Sequence, residues 1–82
     1  MENNNNVSDE FLSSFVDKMK SRMKIHDEQK GCTWKDTSTD ILNDLLIEKM
    51  REYEISNNPD EILVDIANYV YFLWIKRQLL IN

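Results

Sequence analysis

Apolar residues recur three and four positions apart in three stretches of this chain, and each stretch predicts an amphipathic helix. The first covers 9–24, with Phe11, Leu12, Phe15, Val16, Met19 and Met23 on one face, a stripe that reads as core. Ser8 stands at its N-cap, Asp9 and Glu10 suit the positive end of its dipole, and Val7 and Leu12 hold staple positions. Lys18, Lys20, Arg22 and Lys24 make its last turns basic. The second helix covers 40–54, after Thr37, Ser38, Thr39 and Asp40, a capping-box variant with Asp for the usual Glu. The third covers 59–80. Asn58 serves as its cap, Pro59 takes the first helical position and Glu61 the third.

Wound at about 100° per residue, the second and third helices carry acids on faces where a core helix carries none. On the second, Ile41, Leu42, Leu45, Leu46, Met50 and Tyr53 form one broad apolar arc. Glu52 falls inside that arc and Glu48 on its edge. On the third, Asp65 points the same way as Ile62, Tyr69 and Phe72, with Glu61 one turn before it and Asn68 one turn after. Carboxylates are almost never fully buried unless they are paired or hold a metal. These acids therefore need a cation.

The third helix is apolar nearly all round its wheel over its last stretch, YVYFLWIKRQLLI, from Tyr69 to Ile81. Such a helix is covered on every side, and two other helices cannot enclose it. Val70, Leu73, Trp74 and Ile81 project from different sides, which predicts a homodimer or a homotetramer built as a dimer of dimers. The segment 25–36 is the longest connection; within it Gly31 can take conformations other residues resist. Residues 1–6, MENNNN, read as a disordered polar tail, which leaves 7–82 as one helical domain.

Composition narrows the picture. The 82 residues hold one small domain, and a single Gly and a single Pro favour long helices over hairpins. Cys32 is alone, so it forms no intrachain disulfide and fits a reducing compartment; with His26 it is too little for a structural zinc site. A net charge of −5 argues against non-specific nucleic-acid binding. The start of the chain lacks a signal-peptide apolar region, and its longest apolar run is too short for a bilayer. A soluble, cytoplasmic protein is expected, with no membrane and no nucleic-acid partner.

The order of features carries a resemblance. KG-x-x-W (Lys30, Gly31, Trp34) precedes a Leu-rich helix bearing Glu48 and Glu52. A short turn follows, then a helix reading DEILVDIANYVYFL. Over roughly 19–75 the chain resembles the MazG-like, all-α nucleotide pyrophosphohydrolases, particularly their short phage and prokaryotic forms. In that family two helices bear E-x-x-E and then E-x-x-D, and the four acids bind magnesium, which holds the triphosphate.

The resemblance implies an all-α, three-helix chain that assembles into an oligomeric helical bundle. It also implies a magnesium-dependent nucleoside triphosphate pyrophosphohydrolase that cleaves between the α and β phosphates, releasing nucleoside monophosphate and pyrophosphate. It puts magnesium on Glu48, Glu52, Glu61 and Asp65, and gives Glu52 and Asp65 the catalytic role. Lys30 and Lys35 fall at the phosphate tail, Trp34 against the base, and Asn68 beside the ligand. The register departs in two places. A strict E-x-x-E puts its first acid at Lys49, and a strict E-x-x-D puts its first at Ile62; this chain has Glu48 and Glu61, each one residue early. Residues four apart share nearly the same helix face as residues three apart.

The chemistry is coherent. Magnesium takes carboxylates together with substrate phosphates, reverses the field of an acidic site and activates water for in-line attack. Each residue also has a plainer reading. Glu61 completes a capping box with Asn58. Glu48 with Arg51, and Glu52 with Lys49, are surface ion pairs. Asp65 pairs with a lysine from another helix, Asn68 bonds backbone, and Trp34 anchors its loop. The second class of function is therefore a catalytically silent helical oligomer that binds nucleotides or a protein partner. Release of monophosphate and pyrophosphate separates the two.

Overall fold

The protein is described here by a computed structural model, covering the backbone of residues 2–30 and 33–81 and the side chains of 8–28 and 34–80. It is all-helical: α1 (Glu2–Lys30), a 3₁₀ turn (Thr33–Lys35), α2 (Thr39–Ile55) and α3 (Pro59–Ile81). No strand occurs among the described residues.

The starts of α2 and α3 follow their local chemistry. Ser38 is extended, and its Oγ accepts a hydrogen bond from the Ile41 amide at 3.2 Å, which satisfies a donor with no partner inside the helix. The Leu42 amide donates to the Ser38 carbonyl at 3.0 Å and closes the first turn. At the other end the Ser56 Oγ accepts from the Asn58 amide at 2.9 Å, turning the chain so that Pro59 opens α3.

The first helix departs from expectation at both ends. It takes in residues 2–6, expected to be a tail, so Ser8 lies within the helix and does not cap it. It also runs on through 25–30, expected to be loop. Neither segment contains Gly or Pro. Adding residues to a formed helix needs no new nucleus, so the helix propagates until a breaker stops it. Its 29 residues span about 43 Å, matching the 43 Å longest dimension of the molecule.

α3 is the central element. α2 packs along it, joined by a short turn that makes the two antiparallel, and α1 packs chiefly on α3 as well. The contacts of α1 fix its direction: Met19 meets Asn68 while Arg22 meets Asp65 and Glu61, so it too runs antiparallel to α3. The core is small. Leu42, Val64 and Phe72 are the buried apolar side chains among the described residues. Burial of Leu42 alone contributes about 1.5–3 kcal/mol.

The expected cores of α1 and α2 are only partly closed. Val16, Met19 and Met23 are half-buried, but Phe11, Leu12 and Phe15 face solvent. Ile41, Met50 and Tyr53 of the α2 arc do so as well. α1 leans chiefly on α3, and one main neighbour covers only a narrow strip of its apolar face. Val70 and Trp74 of α3 are uncovered too, as the all-round apolar wheel predicts for a lone chain. The side chain of Ile81 lies outside the described residues.

Candidate functional site

Asp65 lies at the meeting point of the three helices and is 6% exposed. Its carboxylate takes a two-pronged grip from α1: Arg22 Nε donates to Oδ1 at 3.0 Å and Nη2 to Oδ2 at 3.1 Å. From α2 the Lys49 ammonium reaches Oδ2 at 3.6 Å. Fork-to-fork pairing of guanidinium with carboxylate is the strong form of this interaction. The same Arg22 extends Nη1 to Glu61 Oε1 at 2.6 Å, and Lys49 also meets Glu52 Oε1 at 3.6 Å. Two cations and three acids from three helices thus form one connected network.

The arrangement alters the proton affinities of two groups. The hydrogen bonds to Asp65 raise the Arg22 pKa; burial opposes this, and the charges of Asp65 and Glu61 reinforce it. Tyr69, the next residue after Asn68, is also raised, first by burial. Lys49 opposes that shift, while Asp65, Glu52 and Glu48 add to it. The three acids of α2 and α3 therefore bear on one phenol.

The positions singled out from the sequence divide as follows. Asp65 and Asn68 are buried. The Asn68 Nδ2 donates to the Met19 carbonyl at 3.2 Å across to α1, and its Oδ1 is buried with no partner among the described residues. Glu61 joins the network through Arg22, a role the capping-box reading did not give it. Glu52 is half exposed, with 52% of its side chain accessible, not inside the core as its place in the arc predicts; Glu48 is exposed as well. The side chain of Lys30, together with Gly31 and Cys32, lies outside the described residues.

Trp34 is an anchor. Its ring stacks parallel on Phe72 with centroids 4.6 Å apart, and the Lys35 ammonium stands 5.9 Å from its centre. Lys76 donates to the Lys35 carbonyl at 3.1 Å. These contacts pin the 3₁₀ turn to the later part of α3. Phe72 lies two helical turns beyond Asp65, so Trp34 and the acid network occupy different stretches of α3.

Magnesium demands near-octahedral oxygen ligands at about 2.0–2.1 Å. Both Asp65 oxygens already accept from Arg22, and Lys49 shares one of them. Among the described residues no three acid, histidine or cysteine side chains come close enough together to hold a metal ion. In this arrangement the residues do not fit a resident magnesium.

Arg22 is the partner that sequence reading assigned only to the basic end of α1. A signal for it exists: Arg22 stands three residues after Met19 and one before Met23, on the flank of the apolar stripe, where a cation can reach a buried acid on the next helix. An open hollow of about 360 Å³ lies beside this pair, between α1 and the start of α3, with Lys18, Ser21 and Ile25 on one wall and Asn58, Asp60 and Val64 on the other.

Comparison with protein-family models, with curated proteins and with solved structures finds no match to this chain. Among the described residues no helix is long and apolar enough to cross a membrane.

Proposed function

We propose that this chain is a catalytically silent helical oligomer of MazG-like type, in which the acids of α2 and α3 join helices together and do not hold magnesium. The observation that carries this reading is the double hydrogen bond from Arg22 to Asp65, which occupies the carboxylate best placed to bind an ion.

Self-association is supported by surface. The chain exposes 6655 Å², against about 5,200 Å² for a folded monomer of its 9.8 kDa mass. Its radius of gyration is 14.6 Å, against about 12 Å for a compact domain of this length. The excess of about 1,500 Å² per chain, covered in a dimer, falls in the size range of obligate interfaces. The partner proposed is a second copy, laid over the exposed side of α1 and α3 where Phe11, Phe15, Val70 and Trp74 stand uncovered.

The competing reading is the magnesium-dependent pyrophosphohydrolase. What speaks for it is that the charges of Asp65, Glu52 and Glu48 all act to raise the pKa of the one phenol, Tyr69. One experiment decides between them: purified protein with Mg²⁺ and a panel of nucleoside triphosphates, scored for monophosphate and pyrophosphate, with light scattering on the same sample. A multimer without product agrees with the proposal. Magnesium-dependent release of both products, abolished by Asp65→Asn, establishes the enzyme instead.

A further inference from the structure

We infer that Lys49 is a built-in counter-ion that, beside the Arg22 grip on Asp65, keeps divalent metals out of the α2–α3 seam, and that removing its charge lets the acids there take one. The inference rests on the silent reading of the site and names the residue responsible for it.

The geometry is that of a bridge. The Lys49 ammonium lies 3.6 Å from Glu52 Oε1 on its own helix and 3.6 Å from Asp65 Oδ2 on the next. Those two oxygens are therefore at most about 7 Å apart, twice the length of one leg. An ion with ligand distances of about 2.0–2.6 Å draws two ligand oxygens to within about 5 Å of each other. The ammonium bridges the two oxygens with one positive charge in the arrangement they already hold.

Lys49 is placed to stay. Its side chain is 26% exposed, its charge is met by two carboxylates, and it lowers the proton affinity of the adjacent Tyr69. A divalent ion arriving at Asp65 meets an ammonium on one side and the Arg22 guanidinium on the other. Removing the Lys49 charge leaves Glu52 and part of the Asp65 charge uncompensated, with Glu48 beside them. Placing a carboxylate at 49 adds an oxygen ligand from the same backbone position. Uncompensated acids at one seam repel one another, and a cation that binds only the folded state relieves that repulsion and raises stability.

The test is thermal melting with MnCl₂ or MgCl₂ at millimolar concentration, ionic strength matched with KCl, on the parent chain, Lys49→Gln and Lys49→Glu. Without metal, both variants melt below the parent. With metal, the parent holds its midpoint and Lys49→Glu rises by about 4–8 °C, the shift of a modest binding contribution in a domain this small. Lys49→Gln rises by less, and Glu52→Gln in the Lys49→Glu background removes the rise. Should Lys49→Glu fail to fold even with Mn²⁺, the shift in Lys49→Gln alone decides. A parent that rises as far as the variants overturns the inference, and so does a deciding variant that does not respond. Nucleotide turnover by the parent ends the silent reading through a different measurement. Absence of the metal shift in the variants ends this inference and leaves that reading in place.

Discussion

Arg22 reaches across from α1 and holds both carboxylate oxygens of Asp65 on α3, at 3.0 and 3.1 Å. The acid's side chain is 8% exposed and the arginine's 26%, so the pair sits at the inner edge of the molecule with one end open to water. Breaking a buried pair by removing one partner strands the other charge and costs about 3–5 kcal/mol. The open end of Arg22 and its second contact with Glu61 reduce that cost here.

Asp65→Asn is therefore expected to fold but to lose roughly 2–3 kcal/mol, since the amide offers Arg22 one neutral acceptor in place of a charged fork. Urea unfolding followed by helical circular dichroism measures it. A midpoint unchanged from the parent would show that the pair is not formed in solution.

Trp34→Ala removes the parallel stack on Phe72. Truncating a core tryptophan costs about 3–5 kcal/mol; Trp34 is half-buried, so a loss of roughly 2–3 kcal/mol is expected. Trp34→Phe keeps a ring against Phe72 and should retain most of the stability. The comparison is made in the same urea series.

Tyr69 sets a pH dependence on the alkaline side. Its folded pKa is raised above the ordinary 10.0, first by burial. The folded state keeps this proton after the unfolded state has lost it. The contribution is therefore fully present below pH 10.0 and is lost as pH rises through the folded value. Melting curves from pH 9 upwards should fall more steeply for the parent than for Tyr69→Phe, which lacks the ionisable group. Parallel curves would place Tyr69 in water.

Trp74 stands 57% exposed on α3 and stacks with Tyr71 at a centroid separation of 6.4 Å. Large exposed aromatics of this kind anchor interfaces. Light scattering at micromolar concentration should show a multimer for the parent and a shift to monomer for Trp74→Glu, with a lower melting temperature. A parent that remains monomeric would remove the proposed interface.

The helices themselves were legible because their signals are local. The 37–40 run, Pro59 and the apolar spacing mark α2 and α3 to within a residue or so, although the cap of α2 is Ser38, one residue after the Thr37 of the expected box, and the inward place of Asp65 on its wheel matches its burial. The ends of α1 were not legible, since a stretch without Gly or Pro carries no stop signal and helix propagation decides the outcome. Glu52 was misjudged because an arc of apolar residues shows what a helix is able to bury, not how much its neighbours cover. The lysine from another helix offered for Asp65 is Lys49, but its arginine partner, Arg22, was missed for a related reason. A helix wheel shows that an inward acid needs a cation, but only the packing of α1 on α3 brings Arg22 to it. The shifted register at Lys49 was visible in the chain; that the lysine fills the seam beside Asp65 depends on how α2 and α3 pair.

The central claim is that Asp65 belongs to Arg22 and Lys49 and not to an ion. Its most direct test is a double-mutant cycle of Arg22→Met and Asp65→Asn, measured by urea unfolding with and without millimolar Mg²⁺ at matched ionic strength. The account predicts a coupling energy of about 1.5–3 kcal/mol, the range of charged hydrogen bonds, and the same value in both conditions. A coupling near zero, or one that collapses when Mg²⁺ is added while the parent gains stability, would mean that the ion takes the carboxylate and would contradict it.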